Sequence, residues 1–224
     1  MKKNLKYILL ACAFNFSISY ANKIAVATKI KGIVEIMPAG KRNFIRLNIG
    51  TILSDGDKVR TGSKGFVAII FIDDKSTLKL KEDSEAVITG QRSAASISKK
   101  INMDSGTVRA TVTKQNTDFV IQTPTSVASV KGTDFWLITN PETGDQIIGI
   151  EGIIGLTNNE TGQEVDVTEG MSGISTKDGH LGLEVTDQST IPDDPSVEID
   201  GPSQIKIYLE GPNGEQRVMV IEYQ

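Results

Sequence analysis

Short runs of alternating apolar and polar residues dominate the chain from residue 24 onwards, and clusters of Gly, Asn, Asp and Ser separate them. A period of two is typical of a β-strand with one buried face. Thr77–Lys81 alternates in this way, whereas Phe66–Phe71 is continuously apolar, which indicates a strand buried on both faces. Residues 91–100 are polar and rich in Ser, so we expect an exposed loop or edge there. The pattern predicts an all-β fold.

The end of the chain predicts a separate β-hairpin. Two alternating runs, IKIYLE and RVMVIEY, flank Gly211–Gly214, where Asn-Gly favours a tight primed turn. Three prolines and several aspartates just before these runs are typical of a linker. We expect a β-domain at 24–177, a linker at 178–203 and the hairpin at 204–224. A lone hairpin is marginally stable, so it should dock on the body or pair with a partner.

The pattern of basic, apolar and small residues at positions 1–21 predicts an export signal. Three lysines precede an apolar stretch, and a small-x-small site ends at Ala21, so cleavage is expected between Ala21 and Asn22. The stretch is shorter than the roughly 20 residues of a comfortable membrane span. Lipidation of Cys12 and an uncleaved anchor are the alternatives, and membrane attachment is expected only through them. The expected location is periplasmic or secreted.

Charge and composition narrow the function classes. Removing residues 1–21, which contain three lysines and no acid, changes the net charge from −4 to −7. An acidic surface without basic clusters argues against nucleic acid as a partner. The one cysteine lies in the removed segment, so the exported chain would rely on its core rather than on disulfides.

Candidate catalytic and metal-binding residues are sparse. His180 is the single histidine and lies in a polar turn, whereas zinc requires several His or Cys ligands. The acidic pairs follow strand ends, where Asp commonly hydrogen-bonds its own backbone. These pairs are Asp55 with Asp57, Asp73 with Asp74, and Asp193 with Asp194. We expect turn chemistry there, with no catalytic residue, metal or cofactor; calcium binding at the acidic pairs is the weaker alternative.

The only tryptophan, Trp136, lies in the run VASVKGTDFWLIT, residues 127–139. If the strand is regular after Gly132, then Thr133, Phe135 and Leu137 share one face. Asp134, Trp136 and Ile138 then share the other face. A structural role is expected for the stretch from Thr123 to Phe135, and because the second face mixes an acid with apolar side chains, partial exposure of Trp136 is the alternative. Trp136 is therefore a candidate contact for a protein partner or a sugar.

Several segments in this order resemble the FecR domain family, over roughly residues 27–175. The matching segments are GIVEI (32–36), GTILSDGDKVRTG (50–62), VAIIFIDDKSTLKL (67–80), SGTVRATV (105–112), FVIQTPTSVASVKGTDFWL (119–137), EGIIGLTN (151–158) and VTEGM (167–171). The resemblance implies structural roles for the motif residues Gly56, Asp57, Thr61, Gly62, Gly106, Thr123, Pro124, Gly132, Thr133, Phe135, Gly152 and Gly170. It also implies an all-β fold, either a solenoid-like stack of short strands or a β-sandwich.

The resemblance further implies a bacterial, non-enzymatic module outside the cytoplasm. In the iron-uptake regulators of this family, such a domain receives a signal from an outer-membrane receptor and passes it to a cytoplasmic anti-sigma segment. Only about six residues precede the apolar stretch here, so we expect that segment to be missing. The leading hypothesis is a signalling or binding module that contacts a protein of the cell envelope. A glycan-binding or structural protein of the envelope is the alternative.

Overall fold

The computed structural model describes residues 22–93, 96–114, 118–198, 204–210 and 215–222. The expected export signal, with Cys12 and Ala21, lies outside these residues. The Asn213-Gly214 turn also lies outside them. Cleavage, lipidation and the type of the hairpin turn therefore stay predictions.

Strands account for most of the described chain. They are β1 (Lys23–Lys31), β2 (Val34–Met37), β3 (Ile45–Arg46), β4 (Ile52–Ser54), β5 (Asp57–Thr61), β6 (Phe66–Phe71), β7 (Thr77–Leu80), β8 (Glu85–Arg92), β9 (Ile97–Thr111) and β10 (Phe119–Gln122). They continue with β11 (Ser126–Val130), β12 (Asp134–Asn140), β13 (Gly144–Glu151), β14 (Ile153–Asn158), β15 (Glu164–Thr168), β16 (Met171–Ser175), β17 (Leu181–Val185), β18 (Gln204–Glu210) and β19 (Gln216–Glu222). Two short 3-10 helices span Gln188–Thr190 and Pro195–Glu198.

Strands β1 to β17 form two sheets that share β9. Across the first, sheet A, the neighbours are β4, β1, β6, β7, β9, β12, β13, β16 and β17. Across the second, sheet B, they are β3, β2, β5, β8, β9, β10, β11, β14 and β15. Neighbours are antiparallel except β9 and β10, which run parallel.

One hydrophobic core lies between the two sheets. It takes Ile69 and Leu137 from sheet A, and Ile88 and Leu156 from sheet B, within a single cluster of buried side chains. All six residues of β6 are buried, as their continuous apolar run predicts. On the outer side of β6, Ile70 packs against the C-terminal hairpin, which explains why this strand has no polar face.

The all-β prediction and the C-terminal hairpin are confirmed. From β5 onwards the strands advance along both sheets nearly in chain order, as in a solenoid. The two sheets also enclose one core between them, as in a sandwich. The architecture therefore combines the two alternatives that the sequence left open.

Strand β9 crosses from one sheet to the other at Gly106. Its first part pairs with β8 and β10 in sheet B, and its last part pairs with β7 and β12 in sheet A. At the crossing Gly106 has a φ of 117°, and a Cβ there would lie within 2.5 Å of Ser84 Cα and Cβ. Glycine alone fits this backbone, because both the angle and the contact exclude a side chain.

The exposed loop or edge expected at residues 91–100 is wrong for the second half of that segment, which forms the start of β9 and contains a buried lysine. Strand β8 extends to Arg92, and β9 begins at Ile97, with Lys99 pointing inwards and fully buried. Lys99 Nζ lies 2.9 Å from Asp73 Oδ2 and 2.9 Å from Asp74 Oδ2. These carboxylates lie in the turn between β6 and β7, so the ion pairs join sheet A to sheet B.

Replacing Gly106 with Ala should destabilise the fold by about 3 kcal/mol or more, since the residue gains both an unfavourable φ and an overlap with Ser84. Urea unfolding measures this difference. Gly162→Ala is the matched control, because Gly162 also has a positive φ of 68° but nothing within 4 Å of its Cβ position. That variant should lose about 1 kcal/mol. Equal losses would contradict a role for the contact with Ser84.

Lys99→Met should cost roughly 3–5 kcal/mol, because it leaves two carboxylates beside the core without their cation. The free energy of unfolding at neutral pH reports this loss. Lys100→Met removes the same charge from the exposed neighbouring position and should change stability by about 0.5 kcal/mol or less. If both variants were equally stable, the ion pairs would not hold the two sheets together.

Candidate functional site

Strand β12 places Trp136 on the outer face of sheet A. Phe135 and Leu137 point into the core between the sheets, whereas Trp136 lies outside that cluster. The two faces predicted from the alternation are therefore confirmed. Across sheet A, the neighbours of Trp136 are Arg109 on β9 and Ile148 on β13.

The prediction that Trp136 could be partly exposed is wrong, because its side chain is only 1% exposed. The Arg109 guanidinium lies 5.7 Å from the ring centroid, and Lys81 Nζ lies 6.0 Å from it. Both distances allow cation–π attraction. The ring is therefore packed, and neither face is open to a sugar or a partner in this conformation.

Residues 186–198, which we call the strap, run across the outer face of sheet A. The strap begins beside β16, where Thr186 Oγ1 lies 3.0 Å from Ser172 Oγ. Near its end, Lys29 Nζ of β1 donates to the Ser196 carbonyl over 3.1 Å. Between these two points the strap must cross β13 and β12, where Ile148 and Trp136 are buried. A segment of the predicted linker thus covers the tryptophan.

Asp194 is the ionic anchor of the strap. Its Oδ2 lies 2.6 Å from Lys79 Nζ and 3.0 Å from Arg109 Nη1. Arg109 also makes a bidentate pair with Asp134, at 2.9 and 2.8 Å. One guanidinium therefore joins β9, β12 and the strap, and bidentate geometry makes such a pair stronger than a single contact.

The surroundings of the anchor stabilise the charged forms of Asp194 and Arg109. Burial alone would raise the pKa of Asp194, but hydrogen bonds from Lys79 and Ser196 outweigh it and lower the pKa to about 2. The pKa of Arg109 is raised above its ordinary value, chiefly by its hydrogen bonds to Asp134 and against the effect of burial. The anchor is therefore fully ionised at neutral pH.

The C-terminal hairpin continues from the strap onto β1 and β6. Ile207 and Ile221 are buried against Val26 and Ile70, in a cluster separate from the main core. The expectation that the hairpin docks on the body is thus met. Its opposite face stays in solvent and combines Lys206 and Gln216 with apolar side chains, among them Tyr208, which is 64% exposed. Val218 and Val220 are exposed beside it.

The motif residues lie at turns and strand junctions rather than in one cleft. Gly56, Gly132, Gly152 and Gly170 all have positive φ angles. Asp57 is buried, and it accepts hydrogen bonds from the backbone nitrogens of Ala39 and Ser54. Phe135 belongs to the core, and Gly62 packs against Ile33. We find structural roles for these positions.

Two threonines of the motif set hold neighbouring segments together. Thr61 Oγ1 accepts a hydrogen bond from the Ser84 backbone nitrogen, next to the crossing of β9. Thr123 Oγ1 donates to Asp145 Oδ2, and Ser126 Oγ donates to the same oxygen, both over 2.5 Å. The turn that contains Pro124 is thereby tied to β13. Thr133 is buried beside Gly152.

Sequence reasoning missed Asp145, Lys99 and Arg109. Asp145 and Lys99 are polar residues at inward positions of strands that otherwise present apolar residues inwards. That interruption is the signal that could have marked them. Their partners lie about 20 to 26 residues away and come into contact only through the fold.

The acidic and histidine positions show turn geometry. Asp74 accepts from Ser76, Asp187 accepts from Ser189, and His180 is exposed in its turn. No group of three or more His, Cys, Asp or Glu residues that could hold a metal is found among the described residues. Within the same part of the chain, no helix has the length and apolarity needed to cross a membrane.

An open groove of about 660 Å³ lies on sheet B, across β8, β9 and β10. Its lining comprises Asp55, Thr89, Gly90, Gln91, Ser98, Lys99, Lys100, Asn102, Asp118, Val120 and Gln122. Small-molecule sites are usually lined by apolar and aromatic side chains with a few polar groups. This lining is mostly polar and has no aromatic ring, so the groove is a weaker candidate than the hairpin.

Asp194→Asn should loosen the strap and expose Trp136 at neutral pH. The lowered pKa means that the carboxylate contributes roughly 1–2 kcal/mol of stability above pH 4, after allowance for solvent screening, and this contribution is lost as the pH falls towards 2. Because Trp136 is the only tryptophan, its emission maximum and acrylamide quenching report the strap directly. Asp193→Asn, at the exposed neighbouring position, is the control. Unchanged quenching in Asp194→Asn would contradict the anchor.

Comparisons with known proteins complete the description. Two crystal structures of a candidate anti-sigma factor from Parabacteroides distasonis ATCC 8503, at 2.50 and 1.65 Å resolution, are similar with TM-scores of 0.49 and 0.47. The sequence identities are 12% and 13%, each match covers 58% of this chain, and the chain spans 60% of those proteins. No curated protein matches the sequence. The family model described as FecR protein matches residues 57–171, which confirms the resemblance, and the chain belongs to the FecR protein family.

Proposed function

We propose that this chain is an extracytoplasmic signalling module that acts by binding a protein of the cell envelope, rather than by catalysis. Membership of the FecR family supports a regulatory role. The export-signal pattern of residues 1–21 supports a location in the periplasm or outside the cell. The observation that carries the binding role is the C-terminal hairpin.

The hairpin carries large apolar side chains on both faces, although Lys206 and Gln216 also lie on its solvent face. Ile207 and Ile221 face the body, whereas Tyr208, Val218 and Val220 face solvent. A strand buried on one face normally presents polar residues on the other. Large apolar side chains on both faces are instead typical of a strand that lies between two layers. The body supplies one layer, and a bound partner would supply the other.

The backbone of the hairpin offers a second attachment. Among the described residues, β18 and β19 pair only with each other, so each strand has an edge that can accept a further strand. An extended peptide that adds to such an edge gains main-chain hydrogen bonds, and its alternate side chains can cover the exposed apolar face. The expected partner therefore presents an extended segment with apolar residues at every second position.

The strap gives this binding surface a fixed position. Asp194 holds the strap to Lys79 and Arg109, and Ser196 binds Lys29, only a few residues before β18. The hairpin is therefore tethered to the body at its start as well as through Ile207 and Ile221. A tether of this kind lowers the entropy lost when a partner binds.

Glycan binding through Trp136 is less favoured. A stacking platform requires an open ring face, and this ring is 1% exposed under the strap. The polar groove on sheet B is a separate surface without aromatic residues. The protein-binding hypothesis rests on exposed apolar area, which proteins bury on association.

The test is photo-crosslinking in intact cells. A crosslinking amino acid at position 208 should capture a specific envelope protein, whereas the same group at position 33 should not, although Ile33 is also exposed and apolar. Val218→Lys should abolish capture from position 208 without unfolding the chain. Point substitution is preferable to deleting the hairpin, because deletion would expose Val26 and Ile70.

Two results would count against the proposal. One is equal capture from positions 208 and 33, or capture that survives Val218→Lys. The other concerns location: the intact mass of the purified protein should begin at Asn22, and a chain that keeps residues 1–21 and fractionates with the cytoplasm would refute the extracytoplasmic role. An acylated mass beginning at Cys12 would support the role with a lipid anchor.

A further inference from the structure

The two ends of the stacked sheets are both open. One end, which we call the first end, consists of residues 38–54 and includes β3 at the border of sheet B. The opposite end, the last end, consists of residues 159–187 and includes β15 and β17. Among the described residues β3 pairs only with β2, β15 only with β14, and β17 only with β16. Each border strand therefore has an edge that can pair with another chain.

Apolar side chains stay exposed at both ends, although the core residues nearest to them, such as Leu47 and Val167, are buried. Ile45 of β3 lies opposite the core residue Ile36, so it points to the core side of sheet B, yet it is 56% exposed. At the last end, Leu183 lies opposite Gly173, whose Cβ position points at Val167 of the core. Leu183 is nevertheless 45% exposed. Stacked repeat proteins usually close such ends with a polar cap, whereas the described residues present exposed apolar side chains at both ends.

The two ends carry opposite charge. Residues 38–54 contain Lys41, Arg42 and Arg46, all exposed, and no acidic residue. Residues 159–187 contain one lysine, Lys177, and seven acids. The acids are Glu160, Glu164, Asp166, Glu169, Asp178, Glu184 and Asp187. All seven are exposed, so each end presents a nearly uniform field around its apolar centre.

We propose that a second copy of this chain covers each open end, with the last end of one copy stacked on the first end of the next. Opposite charges favour this orientation, whereas pairing two first ends or two last ends would bring like charges together. Val185, opposite Met171 on the core side and 78% exposed, would lie over Ile45 or its neighbour Ile49. The interface is heterologous, so it extends into linear stacks instead of closing as a dimer.

Analytical ultracentrifugation tests the stacking. The full-length gene is expressed with its N-terminal segment, and the protein is purified in the form that the producing cell leaves. Sedimentation at rising concentration should show association beyond a dimer. Raising the salt from about 50 to 500 mM should weaken it roughly tenfold, because surface charge is screened over a few ångströms at high salt. A protein that remains monomeric at millimolar concentration would overturn the proposal.

Charge reversal tests the orientation. Arg46→Glu reverses a charge at the first end, and Asp166→Lys reverses a charge at the last end. Each variant alone should therefore associate at least about tenfold more weakly than the wild type. A mixture of the two should recover association, because the intact last end of one variant meets the intact first end of the other. Lys100→Glu reverses one exposed charge in the middle of sheet B and should associate like the wild type.

Other outcomes would refute stacking. If the mixture did not associate better than either variant alone, the ends would not meet in the proposed orientation. If both end variants associated like the wild type while Tyr208→Lys did not, the hairpin would be the self-association surface. Circular dichroism confirms that each variant is folded. Arg46 and Asp166 are both exposed, so the substitutions should alter stability by only about 0.5 kcal/mol, as surface changes usually do.

Discussion

The crossing of β9 at Gly106 is the constraint on which the architecture depends. Because one strand belongs to both sheets, the register of sheet A and that of sheet B are fixed relative to each other. Ser84 fills the space where a side chain at position 106 would lie, and its Oγ accepts a hydrogen bond from the Thr107 backbone nitrogen. The pairs of Lys99 with Asp73 and Asp74 brace the same strand nearer its start. The core is therefore closed around β9 in the middle, whereas the border strands leave apolar side chains such as Ile45 and Leu183 exposed.

The outer face of sheet A is organised by charge, in contrast to the apolar core. Arg109 binds Asp134 on the neighbouring strand and Asp194 on the strap, so the sheet and the strap are held by the same guanidinium. Trp136 is buried on the same face, and its ring lies 5.7 Å from the guanidinium of Arg109 that binds the strap. The proposed binding surface is therefore the hairpin that the strap positions, and not Trp136.

Local alternation was enough to predict the strands, the two faces of β12 and the burial of both faces of β6, because each depends on neighbours within a few residues. It failed for residues 91–100, since a lysine reads as exposed unless its partners are known, and Asp73 lies 26 residues earlier. It failed for the exposure of Trp136 for the same reason, as the covering strap comes about 50 residues later in the chain. The positive φ angles at Gly56 and Gly132 could be anticipated from the turn pattern, whereas the contact of Gly106 with Ser84 could not.

The hairpin and the ends of the stack differ in the forces that would stabilise a contact there, namely apolar burial at the hairpin and charge at the ends. The exposed face of the hairpin combines Tyr208, Val218 and Val220 with Lys206 and Gln216, so binding there would come mainly from apolar burial and would depend less on salt than a contact at the ends. The ends combine apolar residues such as Ile45 with fields of one sign, so contacts there are directional and salt-sensitive. Stacking through the ends would leave the hairpin free, because it lies on the outer face of β1 and β6. A linear stack would therefore repeat the hairpin at regular intervals, and a receptor with several copies of its binding segment would gain affinity by engaging them together.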